Sequence, residues 1–197
     1  MILKKATPKA IKYACINFHY AKSVPSVQFG YNVYNGEGDW CGVILFGNGA
    51  NNNIAKTFGM IQGEVLELVR VALNGKQEYT SMAVAKALKQ LHSDDPLVKI
   101  VVSFSDHRQK HIGTIYQATN WLYIGKTITS DTQYFYNGKW THERTINGHA
   151  NRDELKAKLP KRENSNKFKY IFCFDKKLRK SYMKKALPYP KEKDLTE

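Results

Sequence analysis

A chain of 197 residues with 42% apolar and 12% aromatic side chains can bury a substantial core, which excludes a disordered or low-complexity polymer. Cys15, Cys41 and Cys173 are odd in number and lack paired spacing, and no apolar run approaches the ~18 residues of a membrane span. These features, with an N-terminus unlike a signal peptide, argue against a disulfide scaffold and for a reducing, cytoplasmic setting with no membrane partner. Against 17 acidic residues stand 31 Lys and Arg, a net charge of +14 that points to a polyanionic partner: DNA, RNA or an anionic surface.

Taken in chain order, PKAIKYACINFH (8–19) predicts a first helix, with Pro8 near its start and Ile11, Ala14, Cys15 and Phe18 on one face. VQFGYNVYNGEGDWCGVILFG predicts two strands joined at NGEGD. Residues 48–63, rich in Gly and Asn, read as a loop, and GNGANNN lacks the Gly-Lys-Ser/Thr of a phosphate-binding loop. EVLELVRVAL (64–73) reads as a buried strand interrupted by Glu67 and Arg70. SMAVAKALKQLH predicts a helix with Thr80 or Ser81 as N-cap and Val84, Leu88 and Leu91 inward.

VKIVVSFSD (98–106) is another buried strand, and Gly113 opens a short helix over 113–121. Residues 122–150 are mixed, with a hairpin signal at YFYNGKW. FKYIFCFD (168–175) reads as a strand, and KKLRKSYMKKALPYP as a basic amphipathic helix stopped by Pro188 and Pro190. Residues 151–197 hold 15 Lys and Arg against 7 Asp and Glu, more than half the net charge. The pattern predicts one mixed α/β domain over residues 1–197, a central mixed sheet flanked by helices, with basic elements at 151–197. The basic run from Lys176 through Arg179 to Lys184 and Lys185 is either a clamp on a nucleic-acid backbone or a solvated face.

Candidate chemistry concentrates in SFSDHRQKHIGTIYQATNW. On a helix Tyr116, Thr119 and Asn120 share a face while Ile115, Ala118 and Leu122 pack behind. A phenol so placed either gives a proton to a leaving group or caps the core with its hydroxyl bonded to backbone. Ser103, Ser105, Asp106, His107 and His111 fall near the carboxyl end of a strand in a sheet expected to be parallel, where open α/β sheets bind ligands. His19-Tyr20 is a second candidate pair, and each lone histidine has a structural reading beside the functional one. HExxH, GxSxG, GxGxxG, the zinc-deaminase pattern and an adenine-methyltransferase aromatic-proline motif are all missing.

In order, FHYAKSVPS, VLELVRVAL, VVSFSD followed by HIGTIYQATNWLYIG, and ALPYPK resemble the Mom family of phage DNA-modification proteins over roughly residues 10–190. The resemblance implies a fold related to the GNAT acyltransferases. It also implies conversion of adenine in DNA to its N6-carbamoylmethyl form, shielding phage DNA from restriction inside the host cell. It places an acyl donor between the strands of VLELVRVAL and SFSD, with Arg70, Val71, Ser81 and Met82 as cofactor-side residues. Tyr116 becomes the general-acid candidate, and His19, Tyr20 and Asp106 face the adenine, with iron as a conceivable metal on those three. Ser23, Ser103 and Asn120 join Lys176, Arg179, Lys184 and Lys185 on the DNA side.

The chain departs from GNATs in NGKQEYTS, which replaces the glycine-rich pyrophosphate loop. A carbamoylmethyl product also needs an N–CH2 bond, so the donor is acetyl-CoA-like with a later rearrangement, or glycyl-tRNA-like with tRNA as a second partner. Adenine N6 is poorly reached in a duplex, so base flipping onto Trp121, Tyr20 or Trp140 is expected, unless those rings are core. A GNAT acting on a tRNA, protein or small amine, and a non-catalytic nucleic-acid binder, are the competing readings.

Overall fold

The computed structural model describes residues 1–49, 53–106, 109–127, 132–163 and 166–195. Short β1 (Ile2–Lys5) leads into α1 (Pro8–Asn17). Thr7 caps that helix, its hydroxyl accepting the Ala10 N–H at 3.2 Å, and Pro8 supplies a preset φ where no N–H is needed. The hairpin of β2 (Phe29–Tyr34) and β3 (Trp40–Gly47) forms as predicted, its turn closed by the Asn35 side chain accepting the Glu37 and Asp39 N–H groups. After a 3-10 turn at Ile54–Phe58, inside the expected loop, come β4 (Val65–Leu73), α2 (Thr80–Asp94) and β5 (Ile100–Asp106).

The chain continues through α3 (Thr114–Gln117), β6 (Leu122–Lys126), and an excursion of β7 (Thr132–Tyr136), β8 (Lys139–His142), α4 (Glu143–Asn147), α5 (Arg152–Lys158) and β9 (Lys161–Glu163). It then returns as β10 (Lys167–Cys173) and ends in α6 (Lys176–Met183) and a short 3-10 turn. The seven-stranded sheet runs β1-β2-β3-β4-β5-β10-β6, and a three-stranded sheet, β8-β7-β9, belongs to the excursion.

The expected central mixed sheet is present, but around the end of β5 it is not the parallel sheet expected there: most of its pairs are antiparallel. Among the described residues only β4 and β5, joined by the α2 crossover, run parallel; hairpins and returning segments make the other pairs antiparallel. Side-chain alternation divides the core. Ile44, Phe46, Leu66, Leu68, Val101 and Tyr170 point to one face, covered by the Ala83, Val84, Ala87, Leu88 and Leu91 stripe of α2. On the other face Val43, Leu45 and Ala72 meet Ala14 and Cys15 of α1, while Ile100, Val102 and Ile171 meet α6 through Leu178 and Tyr182.

Two further expectations change. The N-cap of α2 is Tyr79, without a side-chain cap, because Thr80 Oγ1 instead accepts from Gln77 Nε2 at 2.9 Å. The helix expected over 113–121 ends at Gln117, and Asn120 turns into the left-handed region at φ 59°, which asparagine tolerates. The basic elements expected at 151–197 are α5, β9, β10 and α6.

Candidate active site

The pairing of β4 with β5 covers three residue pairs, ending at Glu67 with Val102. Beyond it β4 pairs only with β3, and β5 only with β10. Where the ladder stops, the Leu68 carbonyl loses its strand partner. The Ser103 hydroxyl takes that role at 3.1 Å and lies 2.8 Å from the Tyr116 hydroxyl. A carbonyl can only accept, so the one Ser103 proton goes to Leu68 and the Tyr116 O–H donates to Ser103 Oγ. A β-bulge opposite Leu45 and Phe46 places Val69 and Arg70 just past the point of separation.

A cleft of about 440 Å³ opens there. His19, Tyr20, Arg70, Val71, Asp106, His111 and Tyr116 line it, so every catalytic candidate shares one cavity. Tyr116 is 8% exposed, packed against Trp121 and Tyr170 with ring centroids 5.1 Å away in each case. Burial pushes its phenol up to about 12, against the Ser103 hydroxyl, with Tyr20 and Glu67 adding to the rise. The phenol therefore stays protonated at neutral pH; it packs in the core, but its hydroxyl bonds the Ser103 side chain where the structural reading expects backbone, and the residue also lines the cleft.

His19 stacks on Tyr20 at 4.3 Å, and Tyr20 meets His111 edge-on at 6.3 Å. His19 Nδ1 accepts the Ala21 N–H at 3.1 Å, so the neutral ring carries its proton on Nε2. Burial, then the charge of Arg70, with His111 and Lys22, holds the imidazole at about 4. The Tyr20 phenol is raised by burial and by the Asp106 carboxylate, against Arg70. Arg70 donates through Nη1 to the Val69 carbonyl at 2.7 Å and through Nη2 to Ser23 Oγ at 3.3 Å, which makes Ser23 a support for Arg70. Its Nε is buried with no partner. Glu67, Lys110 and Lys167 also line the cleft and were not candidates in the sequence: Glu67 stood out only as a break in its strand, Lys110 sits in the turn after β5, and Lys167 arrives by pairing with Asp106.

Other candidates fall elsewhere. Ser103 is 1% exposed and bonds the catalytic candidate, so it cannot reach a duplex. Ser105 gives its hydroxyl to the His111 carbonyl at 2.6 Å. Ser81, Met82 and Asn120 line a separate groove of about 570 Å³ with Tyr79, His92 and Phe174, so Asn120 does not share a face with Tyr116. Lys176, Arg179, Lys184 and Lys185 belong to α6 and its end, on the opposite side of the sheet from α2, and none lines the cleft. Trp121 is fully buried and is no base platform; Tyr20 and Trp140 are 52% and 38% exposed. His107 lies outside the described residues.

The closing ALPYPK motif acts on this site from a distance. Tyr189 donates its hydroxyl to the Trp121 carbonyl at 2.6 Å, and Gln117 Nε2 lies 3.3 Å from the Pro190 carbonyl. Tyr170 donates to the Ile112 carbonyl at 2.5 Å, closing the other side of the α3 turn.

Residues 1–191 match the Mom protein family. The chain is 30% identical over 187 residues to methylcarbamoylase mom of Escherichia phage Mu, across 88% of this chain and 76% of that protein. A match of that extent takes in α1, the parting strands, the Tyr116 turn and the ALPYPK tail alike, and the chain belongs to the Mom protein family.

Proposed function

We propose that this chain is a phage DNA-modifying transferase that converts adenine to its N6-carbamoylmethyl form and so protects the DNA from restriction. The observation that carries the reading is the convergence of Tyr116, His19, Tyr20 and Asp106 on one cleft where two strands part. The name of the phage Mu relative, a methylcarbamoylase, and the net charge of +14 support it. The short parallel contact followed by separation is what a GNAT-like donor site would need.

The residues present fit an acyl donor. The unpartnered Arg70 Nε is a buried donor awaiting a carbonyl or anionic oxygen, and the first turn of α2, beginning at cleft-lining Thr80, has no side-chain cap. When bound, a glycyl-tRNA-like donor would supply an activated glycyl unit, whose N6-glycyl product is an isomer of N6-carbamoylmethyladenine and needs only a rearrangement to reach it; an acetyl unit lacks the amide nitrogen of that product. Asp106 receives the proton that adenine N6 sheds on forming its new bond. The Tyr116 hydroxyl gives its proton to the leaving group, and the Ser103 hydroxyl then turns from Leu68 to the phenolate. His19 presents Nε2–H as a hydrogen-bond donor that orients the base. Tyr20, exposed and stacked on His19, is the platform for a flipped adenine.

The same residues do not fit iron. With Nδ1 accepting from backbone, His19 has no free nitrogen lone pair in its neutral form, and the raised Tyr20 phenol disfavours a phenolate ligand. Among the described residues no group of three His, Cys, Asp or Glu is placed to hold a metal.

The test is the nucleoside composition of DNA from cells expressing the chain. A deoxyadenosine heavier by one carbamoylmethyl group, lost in Tyr116→Phe and Asp106→Asn, is expected. Unmodified DNA together with an acetylated tRNA, protein or amine would assign the competing acyltransferase reading.

A further inference from the structure

The excursion sheet has two unlike faces. Its inner face carries Tyr134 and Thr141, 7% and 8% exposed, and packs on α4, whose Ile146 is fully buried. By strand alternation and register the outer face carries Gln133, Phe135, Trp140, His142 and Arg162. Phe135 and Trp140 are direct cross-strand partners, 40% and 38% exposed, with ring centroids 5.4 Å apart. The Arg162 guanidinium lies over the indole at 4.2 Å and also donates through Nε to Gln133 at 2.9 Å. Such a face leaves its two largest apolar side chains half in water while holding one of them rigidly under a cation.

The position of this face relates it to the cleft. The excursion leaves and rejoins the main sheet at Thr127 and Lys167, which exchange two hydrogen bonds of 2.8 Å. Lys167 is itself a cleft residue and is the register partner of Asp106. The excursion thus springs from the rim of the candidate active site. Residues 132–163 hold seven Lys and Arg against four Asp and Glu, so the excursion is net positive, and Arg162 sets a cation directly against the Trp140 ring.

We propose that this outer face is a DNA-docking surface, with Trp140 and Phe135 stacking on bases unstacked when the duplex opens around the target adenine. The inference rests on the reading of DNA as the substrate. Extruding a base leaves its neighbours and its orphaned partner without stacking, and a ring pair offered beside the cleft replaces part of what is lost. Arg162 holds the indole in place and adds charge against the backbone. A protein partner would also accept aromatic rings, but the net positive charge of the excursion and the root at the cleft favour the polyanion.

The experiment compares two fluorescein-labelled duplexes of the same sequence, one fully paired and one with an abasic site opposite the central adenine. Anisotropy and intrinsic tryptophan emission are recorded for the full-length protein. The expected result is a weakening of about tenfold for Trp140→Ala and Phe135→Ala on the opened duplex, smaller on the paired one. Emission should be quenched by the opened duplex in Trp40→Phe but not in Trp40→Phe/Trp140→Phe, because Trp121 is sealed from solvent and the partly exposed Trp40, which touches cleft-lining Phe18, is removed from both. Trp140→Phe keeps an aromatic ring and decides the matter if Trp140→Ala misfolds.

Unchanged affinity in a folded Trp140→Ala, or quenching that persists in Trp40→Phe/Trp140→Phe, overturns the inference. So does a shift in self-association with DNA binding intact. Overturned in this way with modified nucleoside still produced, the docking surface fails alone. Full binding and quenching with no modified nucleoside keeps the surface and fails the catalytic reading.

Discussion

Removing the Ser103 hydroxyl tests the link between strand separation and the candidate acid. In Ser103→Ala the Leu68 carbonyl loses its donor and the Tyr116 hydroxyl loses its acceptor, both inside a site where Ser103 is 1% and Tyr116 8% exposed. A buried polar group left unsatisfied costs about 1–3 kcal/mol. In a chain of this size each kcal/mol lowers Tm by about 2–4 °C. Tyr116→Phe removes one donor but leaves the Ser103 bond to Leu68, so it should cost about 0.5–1.5 kcal/mol. The double variant relieves the stranded phenol and should fall short of the sum by about 0.5 kcal/mol or more. Urea denaturation of the four proteins, followed by circular dichroism, closes the cycle. Costs that add to within about 0.3 kcal/mol would refute the shared network, because they are what independent sites give.

The other predictions follow from the same geometry. For His19 the folded ring is held at about 4, below its ordinary 6.5, so the unfolded chain takes up the proton first as pH falls. Its contribution is complete above pH 6.5 and is lost as pH drops toward 4, at most about 3 kcal/mol; His19→Asn, which keeps an acceptor for the Ala21 N–H, should flatten the urea midpoint between those pH values. Gly113→Ala forces a Cβ at φ +81° to within 2.5 Å of the Tyr170 ring, and should cost about 2–4 kcal/mol by thermal unfolding; a Tm within about 1 °C of wild type would contradict the contact. Tyr189→Phe removes the 2.6 Å bond to the Trp121 carbonyl and should cost about 1 kcal/mol while raising hydrogen exchange at Tyr116 to Trp121 more than in α2.

Elements built on strong local periodicity were legible in the sequence: α1, the β2-β3 hairpin, β4, α2, β5 and β10 all fall where residue pattern puts them. Short elements were not. β1 spans four residues and β9 three, too few for a period, and both form because a neighbouring strand offers them a ladder. The insertion of β10 between β5 and β6 was hidden as well, since pairing over more than 40 residues leaves no local trace. The cleft shows the same division. His19, Tyr20, Asp106 and Tyr116 stood out as polar groups beside apolar runs. Lys110 and Lys167 looked like ordinary surface lysines until pairing set Lys167 against Asp106. Asn120 was misplaced because a helical period was carried three residues past a turn that its own left-handed φ creates.

The position of Tyr116 poses a physical problem that the fold solves by redundancy. A helix of four residues cannot hold a side chain by its own hydrogen bonds, since nucleation costs more than one turn returns. Here the turn is fixed from three directions. Gly113 lets the backbone pass against the Tyr170 ring, and Tyr170 ties down the Ile112 carbonyl on the near side. On the far side Tyr189 and Pro190 of the tail hold Trp121 and Gln117. From within the sheet Ser103 Oγ accepts the phenol's hydrogen bond. A phenol in a merely structural role could pack against Trp121 and Tyr170 without the tail. Clamping that turn with a segment more than 60 residues away in the chain keeps one hydroxyl beside the gap between β4 and β5, the geometry that the proposed proton delivery would require.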